Sequence, residues 1–228
     1  MYSLTVLVPA FNEEKTILQS LNRLKKHDIF EKILVLNDGS TDSTPSIVEK
    51  IVKSDNRFEL INFKTNRGKG AALQESKSYI STDYVVIHDA DLEYNPDDLL
   101  DLYEKVNGNN LILGSRFIGD KNRTGGYLRT LIANKVMSLF FSIVNQIKCS
   151  DIATCYKMMP VRFFKMNDFK EKGFSIEVEM VAKFLKFSTE LVEVPISYSG
   201  RSYEEGKKIK LSDGFLYLVN TLKYRFLS

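Results

Sequence analysis

An α/β domain with a mostly parallel central sheet flanked by helices is the fold class this sequence predicts, on three observations. Short apolar or β-branched runs alternate with helix-length amphipathic stretches through the first half, the rhythm of a parallel sheet covered on both faces. Acid-bearing polar clusters follow three of those runs, where an open parallel sheet gathers its carboxyl ends and binds ligands. A hydrophobic content of 43% in 228 residues is enough for one substantial core.

The predicted strands are Leu4–Val8, Ile33–Leu36, Phe58–Phe63, Tyr84–His88 and Leu111–Leu113. Helical stretches lie between them near Glu13–Lys26, Ser43–Lys53, Gly70–Ile80 and Pro96–Val106. Thr41-Asp42-Ser43 followed by Pro45 supplies an N-cap and a first-turn proline, and Asn95-Pro96 opens the fourth helix similarly. After about Gly114 the rhythm changes. A polar loop, Gly119 to Gly126, precedes an amphipathic helix with Leu128, Leu131, Ile132, Val136, Leu139, Phe140 and Ile143 on one side, expected to face the core, with a partly lipid-facing role as the alternative for it and for the closing helix. A helix at Glu177–Leu185, a strand at Leu191–Pro195, a basic Gly-containing loop at Ser197–Lys210 and a helix at Asp213–Phe226 complete one domain over 1–228, with halves of about 1–115 and 116–228.

Composition narrows the function. Lys and Arg total 32 against 29 acids, a net charge of +3, which gives no support to nucleic-acid binding. Cys149 and Cys155 have no partner pair and there are only two histidines, so zinc spacing is absent and reduced thiols in a cytoplasmic setting are expected. Met1–Ala10 reads as a first strand rather than a leader. The longest apolar-rich stretch, Tyr127–Ile147, is interrupted by Arg129, Asn134, Lys135 and Asn145, so a soluble or peripheral protein without a membrane-spanning helix is expected.

The chemistry is concentrated after the strands. Pro9-Ala10-Phe11-Asn12-Glu13 follows the first, Asn37-Asp38-Gly39-Ser40 the second and Asp89-Ala90-Asp91-Leu92-Glu93 the fourth. Asp38 alone could be an ordinary turn acid. Asp89 and Asp91 carry the strongest signal, because residues i and i+2 of an extended segment face the same way. Two carboxylates held together repel unless a cation or a shared proton intervenes, and an oxygen-only set suits Mg²⁺ or Mn²⁺. Helix capping by Asp91 or Glu93 is the competing reading and leaves Asp89 unexplained. Asn66-Arg67-Gly68-Lys69-Gly70 opens a helix with amides and two cations, a candidate anion cradle, without P-loop or dinucleotide spacing.

Val8-Pro-Ala-Phe-Asn-Glu-Glu14, Asn37-Asp-Gly-Ser-Thr-Asp42, Arg67-Gly-Lys-Gly70, Asp89-Ala-Asp-Leu-Glu93 and Gly114-Ser-Arg116 occur in that order. Together they resemble glycosyltransferase family 2, of GT-A fold, and within it the dolichyl-phosphate mannose synthase-like enzymes. The likeness continues through Ser150-Asp151, Phe174-Ser-Ile-Glu-Val-Glu179, Val194-Pro-Ile-Ser-Tyr198, Arg201 and Glu205-Gly-Lys-Lys208. It implies a donor-binding first half and an acceptor-side second half. Pro9, Phe11, Glu13, Asp38, Lys69 and Ala90 would line the nucleotide pocket. Asp89 and Asp91, helped by Glu93, would hold Mg²⁺ or Mn²⁺ on the diphosphate, and Arg201 with Lys207 or Lys208 would close over the phosphates. Arg116, Arg129, Asp151 and Glu177 would stand on the acceptor side. Departures are the Asn37-Asp38 pair where many relatives have two acids, Glu93 where Gln is frequent, and Cys155 with Met158–Pro160 in a region that usually reads Ser-Gly-Phe-Arg.

The resemblance implies inverting transfer of a hexose from a GDP- or UDP-linked donor to a polyprenyl phosphate at the membrane surface, and leaves the oligomeric state open. Competing readings are transfer to a sugar hydroxyl in capsule, O-antigen or other cell-surface glycan assembly, a sugar-1-phosphate nucleotidyltransferase, and a non-catalytic nucleotide-binding module. Glu177 and Glu179 read as surface acids in a helix's first turn that could still approach the site. Arg129 and Lys135 read either as solvated flank residues or as acceptor contacts.

Overall fold

Val6, Leu7 and Val8, like Leu34, Val35 and Leu36, are fully buried. Consecutive burial means that both faces of their strands are covered, which puts those strands at the centre of a sheet. The computed structural model describes residues 1–201 and 211–227, the side chains of 211–213 excepted. In chain order the elements are β1 (Leu4–Ala10), α1 (Ile17–Leu24), β2 (Phe30–Asp38), α2 (Thr44–Val52), β3 (Phe58–Phe63) and α3 (Lys69–Glu75), which runs into a 3₁₀ turn. There follow β4 (Tyr84–Ile87), α4 (Asp98–Tyr103), β5 (Leu111–Ser115), β6 (Arg123–Gly125), α5 (Leu128–Asn145), β7 (Lys157–Pro160) and α6 (Val161–Met166). The last are α7 (Ile176–Phe187), β8 (Leu191–Pro195), β9 (Tyr198–Gly200) and α8 (Leu211–Phe226).

The seven-stranded sheet has the order β3-β2-β1-β4-β7-β5-β8. All its pairings are parallel except those of β7, which runs antiparallel to both β4 and β5. The predicted fold class is therefore the observed one. β7 and α6 were not expected: Lys157-Met-Met-Pro160 is too short and too mixed to announce a strand. The loop expected at Gly119–Gly126 contains β6, which pairs in parallel with β9 as a small second sheet.

Tight turns bring the strand ends together. Gly39 has φ +71°, and a side chain there would meet the backbone of Thr65 and Asn66 at 2.6 Å, so the close approach of the two loops requires glycine. Asp42, rather than Ser43, accepts the amide of Thr44 at the start of α2 (2.9 Å), with Pro45 in the first turn.

α5 departs from expectation in its orientation. Its buried positions are Ser138, Phe141 and Asn145, while Leu128, Ile132, Val136, Leu139 and Ile143 are exposed. Most of the apolar side points outward, and the core contact is made by Phe141 with Ser138 and Asn145. α8 packs against both α5 and α7. No helix among the described residues is long and apolar enough to cross a membrane. Both cysteines are buried free thiols.

Candidate active site

The carboxyl ends of β1, β2 and β4 open onto a cleft of about 970 Å³. Pro9, Ala10, Phe11, Glu13, Asp38, Lys69, Asp89, Ala90, Asp91, Glu93 and Arg201 all line it. Sequence reasoning thus placed its donor-side and metal-side residues on one edge. It missed Gly173 and Phe174, which close the opposite wall just before α7; the Phe174–Glu179 motif drew notice only for its acids.

The β1 and β2 loops are laced by side chains. Asn12, at φ +52°, accepts the Thr41 amide (2.9 Å) and donates its own amide to Ser40 Oγ (3.0 Å), and the Glu13 amide donates to Thr44 Oγ1 (2.9 Å). Asp38 faces the cleft, but its carboxylate accepts the amides of Arg67 (3.0 Å) and Gly68 (2.7 Å). It anchors the Gly-rich loop that begins α3. Within that loop Gly70 donates its amide to Lys172 O at 2.7 Å and has no room for a side chain, which would collide with Glu171 O.

Lys69 is not a free cation awaiting phosphate. Its Nζ lies 2.8 Å from Asp89 Oδ1 and 2.7 Å from Glu177 Oε1. The other oxygen of Glu177 lies 2.5 Å from Lys157 Nζ, and the Lys157 side chain is fully buried. Two acids and two lysines therefore alternate along a buried chain, Asp89–Lys69–Glu177–Lys157, whose formal charges cancel. Burial works against the Lys69 ammonium, yet the surrounding carboxylates hold its pKa well above the ordinary lysine value. Burial likewise opposes the Asp89 carboxylate, and Lys69 outweighs it, so Asp89 is held below the usual range. Glu177 and Glu179 do stand in the first turn of α7, but neither is a surface acid. Glu177 is 3% exposed and Glu179 fully buried, with Glu179 accepting the amides of Lys170 and Glu171 and pairing with Lys183 at 2.7 Å.

The chain leaves the strand at Ile87 and bends through Ala90–Glu93, and Asp89 and Asp91 line the same cleft with different partners. Asp89 meets Lys69. Asp91 accepts Arg201 Nη2 at 2.6 Å and the Glu93 amide at 3.0 Å. Glu93 accepts the Arg201 amide (2.9 Å) and the Tyr198 hydroxyl (2.6 Å). Burial, then the Asp89 and Glu93 carboxylates, push Asp91 up to about 7 against the pull of Arg201. Among the described residues no three His, Cys, Asp or Glu side chains are gathered into a ready cation cage, although Asp89, Asp91 and Glu93 all line the one cleft. His88 lies behind the site between Ser20 and Tyr156, and burial lowers it to about 4, so it is neutral. Lys207 and Lys208 lie outside the described residues.

On the acceptor side, Arg116 and Asp151 form a buried two-pronged ion pair, both contacts at 2.7 Å. This removes Asp151 from consideration as a proton acceptor. The Arg116 guanidinium lies 5.0 Å from the Tyr198 ring centre, and Tyr198 in turn binds Glu93, so this pair abuts the cleft. A smaller recess there is lined by Arg116, Arg123, Tyr127, Thr130, Asn134 and Tyr198. Arg123 was not foreseen. Arg129 is exposed in the first turn of α5 with its guanidinium over the Tyr127 ring and lines neither cavity.

Comparison with known proteins places this geometry. The family model described as Glycosyl transferase family 2 matches residues 5–169. The chain is 36% identical over 92 residues to the uncharacterized glycosyltransferase YaiP of Escherichia coli (strain K12), a match covering 40% of this chain and only 23% of that protein. It is 24% identical over 207 residues to the undecaprenyl-phosphate mannosyltransferase of Micrococcus luteus, covering 88% of this chain and 85% of that one. Glucosyl-3-phosphoglycerate synthase from Mycobacterium tuberculosis, solved with Mn²⁺, UDP-glucose and phosphoglyceric acid, superposes with a TM-score of 0.74 at 19% identity, over 98% of this chain and 79% of that one. At that identity the superposition carries the fold alone, which is the GT-A arrangement.

Proposed function

The chain belongs to glycosyl transferase family 2, and from that premise we propose that this glycosyltransferase moves a hexose from a nucleoside diphosphate donor to a membrane-borne polyprenyl phosphate, with inversion. The acceptor class rests on one observation: each of the five carboxylates at the cleft already has a donor partner. Asp38 holds two amides, Asp89 holds Lys69, Asp91 and Glu93 share Arg201, and Glu13 accepts Thr16 Oγ1 at 2.8 Å. A sugar hydroxyl must surrender its proton to a positioned base. A phosphate monoester is largely dianionic at neutral pH and needs none. The Micrococcus luteus relative, named for an undecaprenyl-phosphate acceptor, agrees with this reading.

The β1 and β2 loops, with Phe11 and Asp38, would receive the nucleotide, and Arg201 would meet the diphosphate. Asp91 is the residue whose surroundings fit a divalent cation. It is 8% exposed, carries a proton affinity raised by burial and by the Asp89 and Glu93 carboxylates beside it, and offers oxygen, which Mg²⁺ and Mn²⁺ prefer. When bound, such an ion offsets charge on the departing diphosphate. Asp89, tied to Lys69, would support Asp91 from behind. Solved relatives of this fold carry Mn²⁺ with UDP, which agrees with divalent metal dependence.

Incubation of the purified chain with labelled GDP-mannose, UDP-glucose and other donors, against undecaprenyl phosphate and a panel of sugars, tests the proposal. Label in a lipid monophosphate sugar is the expected product. Label exclusively in glycosidic linkage to sugar hydroxyls would replace it with the glycan-assembly alternative.

A further inference from the structure

The outward apolar side of α5 is covered by no other element among the described residues. Leu128 is 71% exposed, Ile132 53%, Leu139 62% and Ile143 67%. They recur at helical spacing and form one stripe. α8, packed beside α5, continues the surface: Phe215 and Phe226 are each 68% exposed, with Val219 and Leu222 between them. Two neighbouring helices thus present contiguous large apolar side chains to solvent, far beyond the scattered exposure of an ordinary surface.

We propose that the joined outer faces of α5 and α8 dock on an anionic lipid bilayer. The proposal deepens the lipid-phosphate reading by naming the surface that would hold the enzyme where its acceptor resides. Charge selects the occupant. α5 contains no Asp or Glu, while Arg129 and Lys135 are exposed along it; α8 ends with Arg225 and with Lys223, the latter paired with Glu171 at 2.8 Å. A second copy packed face to face would set this surface, whose α5 carries cations and no acid, against another like it. Phospholipid headgroups supply that negative charge, and the long Lys and Arg stems reach them while apolar neighbours sink below. The fold also ties this face to the cleft: Tyr217 of α8 donates its hydroxyl to Phe174 O at 3.0 Å, and Phe174 lines the cleft wall. The recess beside Arg116 opens at the first turn of α5, where the exposed stripe begins.

Flotation with acceptor-free vesicles of phosphatidylcholine and phosphatidylglycerol isolates this inference from the identity of the acceptor. The full chain is expected to rise with the vesicles. The double variant Ile132→Glu, Leu139→Glu is expected to stay at the bottom while keeping its melting temperature and its turnover with detergent-dispersed acceptor. Lys135→Gln should weaken vesicle binding about fivefold. A wild-type chain that stays at the bottom overturns the proposal. So does vesicle binding that ignores all three substitutions, or a dimer in light scattering that the double variant dissociates without any vesicle binding by the wild type. If vesicles bind as expected but the labelled product is a sugar-hydroxyl glycoside, the docking surface stands and the acceptor reading alone fails.

Discussion

Arg201 Nη2 stands 2.6 Å from Asp91 Oδ2, although 110 residues separate them in sequence. With its Nε 3.5 Å from Glu93 and Nη1 3.9 Å from Glu13, the guanidinium supplies positive charge at the place where a donor-bound cation would be needed. On the proposed reading, metal and arginine would compete for Asp91 until a diphosphate gave Arg201 another anion.

The first prediction follows from that competition. Arg201→Gln should bind Mn²⁺ about tenfold more tightly than wild type in the absence of donor, since one charged hydrogen bond to Asp91 is worth roughly 1.5–3 kcal/mol. The same variant should lose turnover, because the arginine is then missing from the diphosphate. Calorimetric titration without nucleotide checks the first part, and equal or weaker affinity would show that Arg201 does not occupy the metal's place.

Asp91→Asn should lower kcat by about 10²–10³, the scale of removing one preorganised electrostatic contact, and chelation of the wild type should do the same. Retention of full activity by the variant in excess chelator would remove Asp91 from the metal site.

Asp91 also sets a pH dependence of stability. Its folded pKa, about 7, lies above the ordinary 3.8, so between those values the folded chain holds a proton that the unfolded chain has released. Stability contributed by this group is then present at low pH and lost as pH rises through about 7. In metal-free buffer at pH 8, Asp91→Asn should consequently melt higher than wild type by a few degrees, with the gap closing toward pH 5. A gap that widened toward pH 5 would reverse the sign of the argument.

The parts of this site that local pattern dictates were legible. β-branched runs gave the strands, turn residues gave the loops, and a parallel sheet gathers its carboxyl ends on one edge. What escaped depends on contacts between distant residues. Lys157 looks like a surface cation in Lys-Met-Met-Pro, and only the insertion of β7 between β4 and β5 buries it. Its partner Glu177, and the tie from Glu177 to Lys69 across 108 residues, have no local signature. Asp89 and Asp91 lie beyond the end of the strand at Ile87, so strand alternation could not say that one meets Lys69 and the other Arg201. The periodicity of α5 was correct, while its direction was not, since period alone does not say which medium an apolar stripe faces.

The buried chain makes a prediction about folding. Glu177→Gln leaves the Lys157 ammonium buried beside neutral groups, a loss on the order of 3–5 kcal/mol, or a fall in melting temperature of roughly 10 °C. Adding Lys157→Met should restore most of it, because the unpaired charge goes with the lysine. Failure of the double variant to recover stability would mean that Glu177 acts through Lys69 rather than Lys157.

The acceptor class can be read from two substitutions of opposite sense. Of the cleft carboxylates that meet a cation, Glu13 stands farthest from it, 3.9 Å from Arg201, and it is the candidate base if one were needed. General base catalysis is worth about 10²–10⁴ in rate, so for a hydroxyl acceptor Glu13→Gln should collapse kcat with acceptor KM unchanged. For a phosphate acceptor it should keep kcat within about fivefold, because the dianion needs no activation. Cations should matter instead. Arg116→Lys keeps a charge against Asp151 but loses the two-pronged geometry, and Arg123→Gln removes the second cation of the recess. Both should raise acceptor KM about tenfold at nearly constant kcat, while Arg129→Gln, lying outside both cavities, should act through membrane attachment and have little effect on a detergent-dispersed acceptor. A three-order loss of kcat in Glu13→Gln at unchanged acceptor KM would sink the phosphate acceptor and leave the sugar hydroxyl in its place.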